Sequence, residues 1–165
     1  MLPVAALGQS APTTGVLHVT ATIASGCRIA DQLRLTQGID FGTLDFGAYP
    51  SIFANALTAQ SHAAMGTLQL TCVGIVSANV SIGTGLHASG NQRQLANGTH
   101  RVAYELYADS GFNLPFAGTT PRTVAVSPNG SVATVNLPIY GRVQPMPGGY
   151  VPGSYQDDVQ ITVSW

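Results

Sequence analysis

Strict alternation of apolar and polar residues predicts a β-strand near each end of this chain. Near the C-terminus, one face carries Val159, Ile161, Val163 and Trp165. Near the N-terminus, one face carries Leu17, Val19, Ala21 and Ile23. Period two is typical of a half-buried strand. A final strand with no later strand to cover it has an exposed edge, and such edges are either blunted or used for pairing with another chain. The N-terminal strand, just before Cys27, is a candidate for the piece that another copy lacks.

The rest of the chain predicts only strands and turns. Further strands are expected at 68–72, 76–82 and 102–106, and the final strand from about residue 155. A hairpin is expected between 123–127 and 132–143, because Asn129-Gly130 is a strong turn signal. Residues 48–66, 83–100 and 145–153 are predicted as loops or turns. The Phe-Gly pairs at 41–42 and 46–47 indicate a bulge or a positive φ between strand pieces. Short strands with turns between them indicate an all-β sandwich.

Composition excludes some classes of partner. The 165 residues suit one well-cored domain, and only 8% are charged, with a net charge of −1. Nothing therefore favours nucleic acid or an anionic membrane surface. No segment is long and apolar enough to cross a membrane. Such low charge suits a protein that stays paired with others, and equally an ordinary β-protein.

Two short features bear on the compartment. An even number of cysteines, Cys27 and Cys72, favours one disulfide and an oxidising environment, with two buried free thiols as the alternative. Residues 1–13 resemble a signal-peptide remnant and flexible N-terminus, because an apolar run precedes small residues and Ala6-Leu7-Gly8 is an acceptable cleavage site. These residues lack the basic segment that begins a complete signal peptide. Residues 14–165 are then expected to form a single domain.

No residue pattern indicates catalysis, so we expect no enzyme, cofactor, metal or small-molecule substrate. No histidine has metal-ligand spacing to another ligand. His18 lies on the polar face of its strand. Asp157 and Asp158 are adjacent, so in a strand they point to opposite faces and cannot act on one substrate. A role in a turn or at the start of the strand is expected instead.

Four ordered segments resemble the spore coat protein U-like domain, which includes the pilin subunits of archaic chaperone–usher pili. They are FGTLDFG at 41–47, YELYAD at 104–109, LPIYGR at 137–142 and GSYQDDV at 153–159, followed by a terminal aromatic residue. The resemblance covers residues 14–165.

The resemblance implies an incomplete immunoglobulin-like β-sandwich that lacks its last strand. A periplasmic chaperone first supplies that strand, and the N-terminal extension of the next subunit then replaces it. The donor segment here would be 14–24, from about Thr14 to Ile23, inserting Leu17, Val19, Ala21 and Ile23. Cys27 and Cys72 match the family's disulfide. The C-terminal strand, with Val159, Ile161, Val163 and Trp165, would line the acceptor groove.

The function implied is a structural pilus subunit that supports adhesion and biofilm formation. Its partners would be neighbouring subunits, a periplasmic chaperone and an outer-membrane usher, and it would be exported through the periplasm to the surface of a Gram-negative cell. The N-terminal alternation favours a shaft or adaptor subunit over a tip adhesin. Two alternatives stay open: an adhesin-like or spore-coat binding module, for which loop 145–153 is the candidate tip, and a secreted monomer that folds its own N-terminal strand into the groove.

Overall fold

The structure is a computed structural model that describes residues 20–22, 25–29, 40–62, 69–75, 77–126 and 131–165. Within these ranges the secondary structure is entirely β, without a helix. The strands are β1 (Gly26–Ile29), β2 (Thr43–Leu44), β3 (Leu57–His62), β4 (Gln69–Val73), β5 (Ser77–Ile82), β6 (Arg93–Asn97), β7 (His100–Tyr107), β8 (Arg122–Ala125), β9 (Ala133–Asn136), β10 (Tyr140–Val143) and β11 (Ile161–Ser164).

The described strands form three hydrogen-bonded sheets, ordered β1-β4-β9, β2-β3-β10-β7-β6 and β11-β5-β8. Every pairing in them is antiparallel. β3 pairs with β10 in the second sheet, and β4 pairs with β9 in the first. One apolar core takes side chains from all three sheets.

Alternating sequence determines which faces are buried. In β5, Ala78, Val80 and Ile82 are buried, while Ser77 and Asn79 are exposed. In β7, Val102, Tyr104 and Leu106 are buried in the same manner. The predicted strands at 76–82 and 102–106 are therefore confirmed over their described residues. Burial of each large apolar side chain stabilises the fold by about 1.5–3 kcal/mol.

The predicted hairpin after residue 122 is wrong. β8 pairs with β5, whereas β9 pairs with β4, so the two strands belong to different sheets. Residues 127–130, including the Asn129-Gly130 pair, lie outside the described residues. The turn signal is local, and it does not specify which partner strand buries the apolar face of the segment that follows.

Two predicted loops contain strands. β3 lies within 48–66, where its inward positions include Ala59 and Ser61 and so give a weak apolar pattern. β6 lies within 83–100 and lacks alternation. The turn chemistry at Asn97-Gly98 is nevertheless confirmed, because it closes the β6–β7 hairpin, in which Asn97 pairs with His100.

Arg93 explains why β6 was missed, because a charged residue occupies its buried position. Arg93 is only 4% exposed, and its guanidinium donates to backbone carbonyl oxygens at distances of 2.7–3.0 Å. The acceptors belong to Ile82, Gly83, Phe116 and Gly118. Burial lowers the pKa of Arg93, partly offset by Tyr104 and Asp157. The side chain thus satisfies carbonyl groups at the end of β5 that would otherwise be buried without donors.

The predicted disulfide between Cys27 and Cys72 is confirmed. The two residues lie directly opposite each other in the β1–β4 pair, and the bond joins positions 45 residues apart. β1 is only four residues long, so this bond is its main covalent anchor to the core.

We expect the double substitution Cys27→Ser and Cys72→Ser to lower the free energy of unfolding by about 4 kcal/mol in the chain-entropy model, because a long loop is no longer closed in the unfolded state. Urea unfolding of the two proteins, each in its chaperone-free form, measures the difference. An unchanged midpoint would contradict a structural role for the bond.

Candidate strand-acceptor groove

β11 is an edge strand whose inward side chains are only half covered. Ile161 lies opposite Ile82 and Val163 opposite Val80, on the same face of the sheet. Ile82 and Val80 are 0% and 3% exposed, whereas Ile161 and Val163 are half-buried. The apolar face of the sheet therefore continues onto β11 without full cover beyond it.

The backbone of β11 also has an open side. Gly83 N–H donates to Gln160 O at 2.8 Å, so residue 160 directs its backbone groups towards the β5 side. Because hydrogen-bonded positions alternate along an antiparallel strand, Ile161 and Val163 direct their N–H and C=O groups the other way. Among the described residues, no strand pairs with that side.

Residues 40–46 form a wall facing the start of β11, and two Asp-Phe-Gly turns build it. Gly42 N–H donates to Asp40 Oδ1 at 2.8 Å, and Gly47 N–H donates to Asp45 Oδ1 at 2.7 Å. Both glycines have positive φ, as their repeated pattern predicted. The turns leave their carboxylates at the surface and their phenylalanines half-buried against the core.

The packing of Leu44 and Phe46 against Gly141 completes this wall. A Cβ at position 141 would lie 2.7 Å from the ring of Phe46 and 2.8 Å from Leu44. Gly141, in β10, therefore makes room for these two side chains to pack across the sheet. Any larger residue at this position would displace them.

β1 continues the same side of the groove towards its other end. The Cα atoms of Cys27 and Cys72 are 4.0 Å apart, a spacing typical of a non-hydrogen-bonded pair. Cys27 thus directs its backbone groups away from β4. A Cβ on Gly26 would lie 4.0 Å from Trp165 Nε1, so the beginning of β1 lies near Trp165. Residues 26–29 lie near Trp165 and residues 40–46 near the start of β11, so this wall and the 157–165 wall run in opposite directions.

Between residues 40–46 and 157–161 lies a cavity of about 350 Å³. Its floor is apolar and includes Ile82, Leu106 and Ile139, all of them buried. A second cavity of about 780 Å³ shares Leu44, Phe46 and Asp157 with the first, and residues 47–51 and 150–156 form its walls. The groove thus extends beyond β11 towards the loops at that end of the molecule.

A polar network fixes the start of the 157–165 wall. The side chain of Asp157 is 0% exposed. It accepts a hydrogen bond from Tyr104 Oη at 2.8 Å and others from the N–H groups of Leu86 and His87 at 2.9 and 3.2 Å. His87 Nδ1 lies 3.0 Å from Asp157 Oδ1. Asp158 is exposed, and both residues precede β11.

The structure describes some of the groove and donor residues predicted from the sequence, but not all of them. Val159, Ile161 and Val163 are half-buried on one wall, and Trp165 is 53% exposed at its end. Ala21, between Thr20 and Thr22, is exposed and belongs to no strand. Leu17, Val19 and Ile23, like residues 1–13, lie outside the described residues, so the donor role stays a prediction.

Sequence reasoning missed two parts of the groove: the wall formed by residues 40–46, and the polar network around Asp157 on the other wall. The FGTLDFG segment predicts positive φ at its glycines and contributes to the family resemblance, but it does not indicate a groove wall. The spacing of its apolar residues Phe41, Leu44 and Phe46 is irregular, so period-two alternation does not detect that wall. Tyr104 was assigned to a strand, but its bond to Asp157 joins residues 53 apart in sequence.

The part of the chain that the structure describes holds no cluster of three or more potential metal ligands among its His, Cys, Asp and Glu residues. In the same ranges, no helix qualifies as a membrane span.

Comparison with known proteins defines the class. The fold and the half-covered edge define an all-β domain with an open strand position, and the family model described as the Spore Coat Protein U domain matches residues 13–162. The chain therefore belongs to the Spore Coat Protein U domain family, as its motifs predicted. No curated protein matches the chain.

Two solved structures are similar to this chain, and the first supports the fold. A chain in the crystal structure of the CsuC–CsuE chaperone–tip adhesion subunit pre-assembly complex, from the archaic chaperone–usher Csu pili of Acinetobacter baumannii, matches with a TM-score of 0.51 and 20% identity, over 87% of this chain and 40% of its own. A chaperone–tip adhesin complex of CFA/I fimbriae gives a TM-score of 0.45 and 12% identity, over 84% and 41%. This chain thus spans about two fifths of either chain it matches. The predicted all-β, immunoglobulin-like sandwich with one disulfide is confirmed.

The buried phenol of Tyr104 should make the free energy of unfolding depend on pH in the alkaline range. Burial, and then the bond to Asp157, raise the pKa of Tyr104 far above its usual value of 10. Below about pH 10, Tyr104 is neutral in both the folded and unfolded states, so its contribution is complete. Above that pH the unfolded chain loses the proton first, so we expect the free energy of unfolding to fall. Tyr104→Phe should remove this part of the alkaline decline.

Urea unfolding at pH 8 to 11 measures this decline, with Tyr49→Phe as the matched control because Tyr49 is 53% exposed. Parallel alkaline slopes in all three proteins would contradict the assignment.

Proposed function

We propose that this protein is a structural pilus subunit, assembled by the chaperone–usher pathway through donor-strand exchange. The observation that carries the proposal is the open edge of β11. There, half-buried apolar side chains border a cavity with an apolar floor, and the outward backbone groups pair with no strand of the described ranges. The inserted strand would be residues 14–23 of another copy. Leu17, Val19, Ala21 and Ile23 would face the groove, and the polar residues between them would face outwards.

The energy of insertion supports such an assembly. Each large apolar side chain that enters the groove contributes about 1.5–3 kcal/mol. The strand also completes hydrogen bonds with the outward-directed backbone groups of Ile161 and Val163. An isolated subunit keeps an exposed edge and is prone to aggregate. Because each copy gives a strand to one neighbour and receives one from another, the contacts do not close and a fibre results.

The partners follow from this assembly. A periplasmic chaperone would cover the groove before polymerisation, and an outer-membrane usher would exchange it for the donor strand of the next subunit. Family membership and the likeness to a chain from a chaperone–subunit complex support this set of partners. The protein would pass through the periplasm of a Gram-negative cell to its surface. As a fibre subunit it would support adhesion and biofilm formation, without catalysing a reaction.

Donor-strand exchange predicts that polymerisation depends on one face of residues 14–23. The full-length protein, co-expressed with its chaperone, should give a ladder of multimers on a non-boiled denaturing gel. Deleting residues 9–24 should abolish the ladder while chaperone binding persists. Val19→Asp should also abolish it, because it would place a charge in an apolar groove. Thr20→Asp, on the opposite face, is the control and should leave the ladder intact.

A full-length protein that is a stable monomer without chaperone would contradict donor-strand exchange. It would instead favour a subunit that completes its own fold, which is the reading that the N-terminal alternation alone leaves open. Equal effects of Val19→Asp and Thr20→Asp would show that polymerisation does not depend on which face of the strand carries the charge. That result would also contradict the proposed orientation of the donor strand.

Ala21 is the small residue among the four inserted side chains. We expect it to leave one weakly filled site in the groove, where an incoming strand starts to displace the previous one. Ala21→Leu should therefore change the rate of multimer formation while leaving the chaperone complex intact, as measured by timed gel sampling. Thr22→Val, on the outward face, is the control. Kinetics unchanged by Ala21→Leu would contradict this role.

A further inference from the structure

Two groups of exposed apolar side chains lie at opposite ends of the groove. The loop cap, where residues 47–53 meet residues 145–152, comprises Tyr49, Ile52, Met146 and Val151, which are 53%, 69%, 44% and 48% exposed. The exit patch, around the beginning of β1, comprises Val73, Val132 and Trp165, which are 50%, 68% and 53% exposed.

The loop cap is a built surface. Tyr150 N–H donates to Ser51 O at 2.8 Å, and the rings of Tyr150 and Phe53 stack with centroids 5.7 Å apart. These contacts hold the two loops together. The cap borders the larger cavity, whose walls include Tyr49 and Val151, so it is continuous with the groove.

The exit patch surrounds the point where the N-terminal segment leaves the body. Val73 lies opposite Gly26 in the β1–β4 pair, and the next position of the β4–β9 register brings Val132 beside it. Trp165 lies near Gly26. From Ala133 the chain continues through β9 and β10 to Val143, which lines the larger cavity beside the loop cap.

The short connection brings the two bodies close together. Only three residues, 24–26, separate Ile23 at the end of the donor segment from Cys27 in the body. Fully extended, the chain from Ile23 to Cys27 reaches about 14 Å. A copy whose strand fills a neighbour's groove therefore has the beginning of its β1, and the exit patch around it, within about 14 Å of the end of that groove.

The direction of insertion determines which end is used. Every strand pair in the described fold is antiparallel, and antiparallel pairing is the more stable form. A donor antiparallel to β11 begins near Trp165 and ends near Asp157, beside the loop cap. The exit patch of the donating copy then meets the loop cap of the receiving copy.

We propose that the loop cap is a docking surface for the exit patch of the next copy of this chain. The inference rests on the proposed donor-strand exchange, and it adds a direct apolar contact between subunit bodies. Both surfaces are apolar, and they lie at opposite ends of one molecule, so a head-to-tail contact covers both along the whole fibre. The charge-poor composition agrees with such burial.

The single tryptophan, Trp165, lies within the exit patch and reports this contact directly. Full-chain polymers are prepared from the natural sequence, from Ile52→Lys with Met146→Lys, and from Leu114→Lys. Leu114 is the matched control, because it is 44% exposed, as Met146 is, and belongs to neither surface. The groove is filled in all three polymers, so only the body contact differs between them.

We expect acrylamide to quench Trp165 weakly in the natural and Leu114→Lys polymers. Quenching should rise severalfold in the loop-cap variant, and adding Val132→Asp to that variant should reverse the rise, because the new carboxylate faces the new ammonium groups. Loss of the loop-cap variant's ladder, with its chaperone complex intact, would also support the contact. If that variant yields no chaperone complex, Val132→Asp alone tests the same contact from the donating side and should raise quenching.

Equal quenching in every polymer would overturn the body contact and leave donor-strand exchange standing. If the natural sequence gives no ladder on the non-boiled gel, donor-strand exchange fails and the body contact fails with it. The two failures are thus read from separate measurements, the gel and the fluorescence.

Discussion

The fold depends on one unfinished strand position beside β11. A β-strand needs partners for its backbone and cover for its apolar face, and β11 has β5 on one side only within the described structure. Its inward residues Ile161 and Val163 stay half-buried beside the fully covered Ile82 and Val80. Completing this position requires a strand with strict alternation, and residues 17–23 have that pattern. The function we propose follows from this requirement.

The two walls of the groove are held by unlike means. At the Trp165 end, the Cys27–Cys72 bond fixes β1 to β4, which keeps one wall in place without a second strand beside it. At the other end, the buried carboxylate of Asp157 gathers Tyr104 and the backbone of residues 86–87. Anchoring both ends would reduce the ordering that the proposed strand insertion requires. Stable walls therefore favour exchange of one strand for another.

Residue patterns predict the strands that alternate, but not the contacts that position them. The burial of Val80 and Ile82, the half-covered face of β11 and the disulfide follow from local alternation and cysteine count. The sequence pattern does not predict β6, because Arg93 occupies its buried position. The carbonyl groups that bind this guanidinium belong to the end of β5 and to residues 116 and 118, which are not adjacent to Arg93 in the sequence. The hairpin predicted between 123–127 and 132–143 is wrong for a similar reason, because a local turn signal does not specify the partner strand. Tertiary partners decide such cases.

The central claim is that residues 14–23 of one copy occupy the groove of another, and intermolecular contacts measured in the fibre test it most directly. Polymers would be grown from an equal mixture of two populations carrying different isotopic labels. Solid-state NMR spectra selective for contacts between the populations are predicted to connect the methyl groups of Leu17 and Val19 with those of Ile161 and Val163. If these contacts appear only within one population, each copy fills its own groove and the account is contradicted.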